Sequence, residues 1–224
     1  MSPSPSLEKA IDRVYRAFAS HPKPHHIDGC PCCLDREEIG VLLGKRLRDL
    51  SPEELAPYAA SAFLTVGEAG DYLYFLPRIL EITALEPSWW PDPEVTGRAI
   101  LSSLAETWTA EQRDALHAFL EAVVEAILRS GSYHEIDSWI CAIGRMGLDV
   151  RPFLDQVATR REAVLDYFET NAAALKRKTL FNAFWERTSP AHDAVIAWFY
   201  SDEIAKFPSE AYRCDFRESE PEGS

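Results

Sequence analysis

The sequence predicts an all-α protein, and three observations carry that reading. Apolar residues recur at helical spacing along most of the chain. Capping boxes stand where the apolar periods begin. Alternating strand patterns are nearly absent, with Tyr212-Arg-Cys-Asp-Phe216 the one short candidate. Tyr72, Phe75, Leu76, Ile79, Leu80 and Thr83 fall on one helical stripe. So do Leu101, Leu104, Ala105 and Trp108, then Leu116, Phe119, Leu120, Val123 and Ile127, then Leu154, Val157, Ala158, Leu165 and Phe168. Each stripe must be buried against a neighbour.

Asp35-Arg-Glu-Glu38, Ser51-Pro-Glu-Glu54, Thr109-Ala-Glu-Gln112 and Ser132-Tyr-His-Glu135 match the capping box, in which the first side chain accepts from an orphan amide and the fourth reaches back. Ser51-Pro52, Asp92-Pro93 and Ser189-Pro190 put proline at the first helical position, where a missing N–H costs nothing. The spacing therefore predicts nine or ten antiparallel helices, near 6–20, 35–49, 52–66, 71–86, 93–108, 110–130, 133–147, 151–172, 177–187 and 190–204. They would form an orthogonal bundle or a short HEAT-like array of helical pairs, and no motif recurs at a fixed period.

The strongest boundary signal is Glu86-Pro-Ser-Trp-Trp-Pro-Asp-Pro93. It divides a front part, 6–86, from a rear part, 92–204. Two adjacent tryptophans argue for a packed loop, so a single helical domain over 1–217 is expected. Residues 218–224 are acidic and read as a frayed tail.

The 224 residues are 46% hydrophobic and carry a net charge of −13, so there is material for a core beneath an acidic surface. Nucleic-acid affinity draws heavily on counterion release by lysine and arginine, which this charge opposes. The densest basic runs, Lys45-Arg46-Leu-Arg48 and Lys176-Arg177-Lys178, are short and suit helix faces or ends. No apolar run reaches the roughly 18 residues of a membrane helix, and the first residues lack an apolar signal core. A cytoplasmic protein is expected, in a reducing compartment where an odd five cysteines are thiols or metal ligands rather than a disulfide framework.

Three of those cysteines lie in Gly29-Cys-Pro-Cys-Cys33, just after His25 and His26. Cys30 and Cys33 have the Cys-x-x-Cys spacing that lets two thiolates reach one ion in a tight turn. Zinc takes four tetrahedral ligands, and Cys32, His25, His26, His21, His134, Cys141 or Cys214 could add the rest. The same pair could serve redox chemistry at a helix N-terminus, although no strand precedes it as a thioredoxin-like site requires. A third reading is a turn whose small thiols pack beneath the first helices.

Pro77 falls inside a strong helical period in Asp71-Tyr-Leu-Tyr-Phe-Leu-Pro-Arg-Ile-Leu-Glu81, so a kink is expected. Arg78 and Glu81 are spaced to pair. The run Leu47-Arg-Asp-Leu-Ser-Pro-Glu-Glu-Leu55, with Tyr58, Ala59 and Ala62, and then Phe75-Leu-Pro-Arg-Ile-Leu-Glu81, resembles a family of uncharacterised bacterial all-helical proteins. That family carries an N-terminal Cys-Pro-x-Cys, matched by Cys30 and Cys33, and an Asp-Phe-x-His-Phe-Leu-Pro-Arg segment, matched by Asp71, Pro77 and Arg78. The resemblance covers about 18–85. The family histidine is Tyr74 here, so a metal site completed by that histidine would be incomplete in this chain. The resemblance implies no activity.

Catalytic signatures are missing: there is no Gly-x-Ser-x-Gly, no glycine-rich phosphate loop and no His-Glu-x-x-His. His134, Glu135 and Asp137 could make an acid–base cluster but fit an exposed helix start better, and His117 and His192 read as lone helical histidines. Trp89 and Trp90 are the best interaction feature, since indoles are enriched at binding hot spots; Arg78 and Glu81 would flank a groove at the kink. The leading expectation is a protein-interaction module whose acidic surface engages a basic protein, an immunity or antitoxin-like protein being one concrete form. The alternative is a zinc protein or metal-dependent enzyme built on the Cys30 to Cys33 region.

Overall fold

A computed structural model describes residues 4–103 and 107–212. Among them are eleven α-helices and two 3-10 turns, with no strand, only isolated bridges. The protein is all-α, as the periodicity requires. The helices are α1 (Pro5–Ala17), α2 (Arg36–Gly44), α3 (Pro52–Ser61), α4 (Ala69–Leu85), α5 (Pro93–Ser102), α6 (Ala110–Ser130), α7 (Ile136–Arg145), α8 (Arg151–Ala158), α9 (Arg161–Leu175), α10 (Pro190–Phe199) and α11 (Asp202–Tyr212). The 3-10 turns are Leu47–Asp49 and Tyr133–Glu135.

The chain divides into two compact units, with the boundary inside α6 after Ala126. The 86–93 loop, the boundary signal in the sequence, lies inside the first unit and packs there through Trp89, which is 9% exposed. In the first unit α4 is central and touches α1, α3, α5 and the 3-10 turn at Leu47–Asp49. Its predicted stripe, Tyr72 to Thr83, is buried throughout, and Leu73 and Ile82 widen it because helices flank α4 on several sides. α4 continues through Pro77 as one assigned helix. In the second unit α9 is central, against α7, α8, α11 and the 3-10 turn at Tyr133–Glu135. α1 packs on α4 across two intervening helices, whereas in the second unit α7 with α9, α8 with α10 and α9 with α11 each skip one helix, the neighbour pattern of stacked helical pairs.

The three first capping boxes form. Asp35 Oδ1 accepts from the amides of Glu37 and Glu38, and Glu38 accepts from the Asp35 amide. Ser51 with Glu54 and Thr109 with Gln112 repeat the exchange. The fourth does not form: Ser132 makes no side-chain cap, and a 3-10 turn precedes α7.

Several boundaries differ from the pattern. α3 ends at Ser61, where the chain turns back with Phe63 at φ 59° and Gly67 at φ 73°. The expected helix 151–172 is two helices. Thr159 donates its hydroxyl to the Gln156 carbonyl and Arg160 is extended, so the helix breaks without glycine or proline. The buried face restarts out of phase, with Ala163, Val164 and Tyr167 buried and Leu165 only half-buried.

The expected helix 177–187 is a run of turns, and Asn171 explains it. This fully buried side chain accepts from the Phe181 amide and donates to the Asp137 carboxylate and the Tyr167 carbonyl, which pins the loop across α9. Asp137 is thus buried, a correction to the exposed helix start read for it, while His134 is exposed. α11 was unexpected because Pro208 interrupts its pattern. Leu101 is exposed at the end of α5, while Leu104 and Ala105 lie outside the described residues, as do most of the strand candidate 212–216, Cys214 and the acidic tail 218–224. No helix among the described residues is long and apolar enough to cross a membrane.

Candidate metal centre

The cysteine segment is a turn braced from both sides. Ile27 before it and Leu34 after it are buried, 2% and 1% exposed, and act as apolar anchors. Between them the chain pairs with the reverse turn that follows α3. The Cys30 amide donates to the Thr65 carbonyl at 2.8 Å, and the Gly67 amide donates to the Asp28 carbonyl at 2.8 Å, around an isolated bridge of Gly29 with Val66. The Cys33 and Leu34 amides both donate to the Cys30 carbonyl, closing the turn. Asp35 then caps α2, so the turn is fixed at its far end as well.

The pairing explains two glycines. A side chain at Gly29 would press on Val66 at 3.0 Å. One at Gly67 would sit 2.7 Å from Asp71 Oδ2 and 2.9 Å from the Tyr58 hydroxyl, at a φ that L residues rarely adopt. Asp71 is buried beneath this turn and accepts from Tyr58 and from the Glu68 amide.

On this frame the sulfur atoms of Cys30, Cys32 and Cys33 lie within 4.8 Å of one another. Cys30 Sγ is 2.7 Å from Cys32 Sγ, and Cys32 Sγ is 3.9 Å from Cys33 Sγ. Thiolates at about 2.3 Å from one tetrahedral zinc stand about 3.8 Å apart, which the Cys32 to Cys33 separation matches, while Cys30 and Cys32 would have to part by about 1 Å. Cys32 is exposed and the other two are half-buried, so the group opens to solvent.

The thiols are not equivalent. Hydrogen bonds from the Cys32 side chain and amide, with weaker ones from Cys33, hold the Cys30 thiol below its ordinary value. Cys32, facing the sulfurs of Cys30 and Cys33, is pushed up to about 11. The lowering falls on Cys30 and the raising on Cys32, so the thiolate of this pair is favoured on Cys30. Because Asp35 takes the α2 amides of Glu37 and Glu38, those amides are not what acidifies Cys30. With no strand before the turn, the thioredoxin-like arrangement is not present among the described residues.

The other ligands named from sequence go elsewhere. His25 and His26 are exposed and outside the sulfur group, and His26 Nε2 is 2.7 Å from Asp28 Oδ1. His21 Nε2 is paired with the Gln112 side-chain amide at 2.8 Å, and burial holds its imidazole below the ordinary value. Cys141 is fully buried in α7. Tyr74 is half-buried in α4 and meets Phe75 edge-on.

The interaction residues separate in the same way. Trp89 is buried and donates its indole N–H to the Pro52 carbonyl at 2.8 Å, while Trp90 is 56% exposed. Arg78 donates to Glu81 at 2.7 Å, as the spacing predicts, and also to the Leu50 carbonyl. The Tyr15 hydroxyl donates to the same Glu81 oxygen at 2.6 Å. These contacts tie α1, α4 and the 3-10 turn together, and nothing in the sequence periodicity announces Tyr15 as a member. The first basic run is neutralised within the chain: Lys45 pairs with Glu54, Arg46 with Asp49 and Arg48 with Asp12. The chain matches no protein family profile, no curated protein and no solved structure, so this centre rests on its own geometry.

Proposed function

We propose that the protein binds one zinc ion through Cys30, Cys32 and Cys33. The observation that carries this reading is the group of three sulfurs gathered on a turn held by the protein's own backbone. Thiolates select soft ions, and zinc accepts a ligand set rich in cysteine. Hydrogen bonds to Cys30 favour the deprotonated form that coordinates metal. The test is native mass spectrometry on protein purified without chelator, with Cys30→Ser, Cys32→Ser and Cys33→Ser beside it. One zinc per chain, lost in each variant, supports the reading. Equal zinc in wild type and variants, or none in wild type, sinks it.

A second reading, an acidic module that engages a basic protein, is supported by the net charge of −13 and the exposed indole of Trp90. A photo-crosslinking residue at position 90 tests it: a single partner with a basic isoelectric point supports the reading, and an acidic partner or no crosslink removes it.

A further inference from the structure

Resting on that zinc reading, we infer that the metal site is open and exchangeable: the chain supplies three thiolates, and the fourth position receives a thiolate from a second molecule. Three features of the turn converge on this.

The first is that the turn is folded by contacts that need no metal. Four backbone hydrogen bonds, from the amides of Cys30, Cys33, Leu34 and Gly67, define its path. Ile27 and Leu34 bury its ends, and the Asp35 capping box locks the start of α2. A structural zinc typically supplies the order of its own loop, so that the metal-free chain unfolds. Here the order comes from the protein.

The second is that the nearby side chains able to close a tetrahedron are engaged elsewhere. Asp35 and Glu38 accept from backbone amides, His26 is turned to Asp28, His21 is paired with Gln112, and His25 is exposed and outside the sulfur group. Among the described residues, no fourth histidine, cysteine or carboxylate joins the sulfur group. A zinc with three protein ligands keeps one position for an exchangeable group, which is how open sites differ from closed structural ones.

The third is that the group faces outward. Cys32 is exposed, and so is Leu64, at 65%, on the reverse turn whose Thr65 carbonyl holds Cys30. An incoming donor reaches the ion without the protein opening. A thiolate suits the position because three sulfurs already make the ion soft in character.

The test replaces zinc with Co(II) in the full chain, whose sulfur-to-metal absorption counts thiolates and whose visible bands report four-coordination. Adding mercaptoethanol is expected to raise the sulfur-to-metal absorption by about a third, as three thiolates become four. His25→Ala combined with His26→Ala should show the same rise. The far-ultraviolet circular dichroism of metal-free protein should match that of the loaded form.

An absorption that ignores the added thiol overturns the inference, because the fourth position then takes no outside thiolate. Unfolding on metal removal also overturns it, because the site is then structural. Failure to bind Co(II) or zinc at all sinks the zinc reading itself, a result distinct from either. A parallel titration with a short cysteine peptide bearing apolar flanks separates the sources. Tighter binding than mercaptoethanol by about tenfold or more assigns the donor to a protein, and equal binding assigns it to a small thiol.

Discussion

Asn171 donates its side-chain amide to the Asp137 carboxylate at 3.2 Å, linking α9 to α7 where neither residue meets solvent freely. The same amide group reaches the Tyr167 carbonyl, and its oxygen accepts from the Phe181 amide. One side chain thereby fixes a loop that helical spacing alone assigns to a helix. Asn171→Ala takes one donor from the buried Asp137 carboxylate and the acceptor from the part-buried Phe181 amide. It is expected to cost about 2 to 3 kcal/mol in urea unfolding, since each such orphaned group costs about 1 to 3 kcal/mol. A loss well under 1 kcal/mol would show that water replaces the clamp.

Asp137 also sets a pH dependence. Burial raises its carboxyl above the ordinary value, and the bonds from Asn171 and Asn182 only partly oppose this. The folded state therefore holds its proton to higher pH than the unfolded state. This residue's contribution is fully present below the unfolded value and falls as pH rises through the folded one. Asp137→Asn should flatten the fall in stability across that acidic window. An unchanged slope would place the titration elsewhere.

The cysteine turn predicts an order of reactivity in metal-free protein. Iodoacetamide should label Cys30 first near neutral pH and leave the fully buried Cys141 untouched, as peptide mapping would read. Cys32→Ala removes the neighbouring thiol donor, so Cys30 should then label more slowly. Faster labelling of Cys30 in that variant would reverse the assigned donor.

Gly67→Ala probes the brace behind the turn. The new methyl meets Asp71 and Tyr58 at a left-handed φ, with an expected cost of about 1 to 3 kcal/mol. Because the Gly67 amide holds Asp28, zinc affinity should weaken as well, by about tenfold or more. Lost stability with unchanged affinity would separate the brace from the centre.

The adjacent tryptophans should behave oppositely. Trp89→Ala removes a buried indole and its bond to Pro52, at about 3 to 5 kcal/mol. Trp90→Ala should change thermal stability little, because most of its surface is already in water. Equal losses from both would refute the assignment.

Much of the helical frame was legible because α4, α6 and the capping residues Asp35, Ser51 and Thr109 obey local rules. The misses share a cause. The break at Thr159 and the loop at 176–187 depend on single side-chain bonds from Thr159 and Asn171, which no periodicity contains. In the metal centre, the spacing of Cys30 and Cys33 was readable and the clustering of Cys32 with them was open as an expectation. The brace was not, because it comes from Thr65 and Gly67, more than thirty residues along the chain. Tyr15 entered the Arg78 and Glu81 pair the same way, through packing of α1 on α4.

If the turn binds the proposed zinc and keeps its fold without it, one more consequence follows. A chain that unfolds without metal is committed once, at the moment it folds. A chain whose turn is already built can lose an ion and take another at any time. Its zinc occupancy would then follow the free concentration of the surroundings relative to the dissociation constant. Loaded and empty molecules would share one shape, and their ratio would be a running readout of available metal.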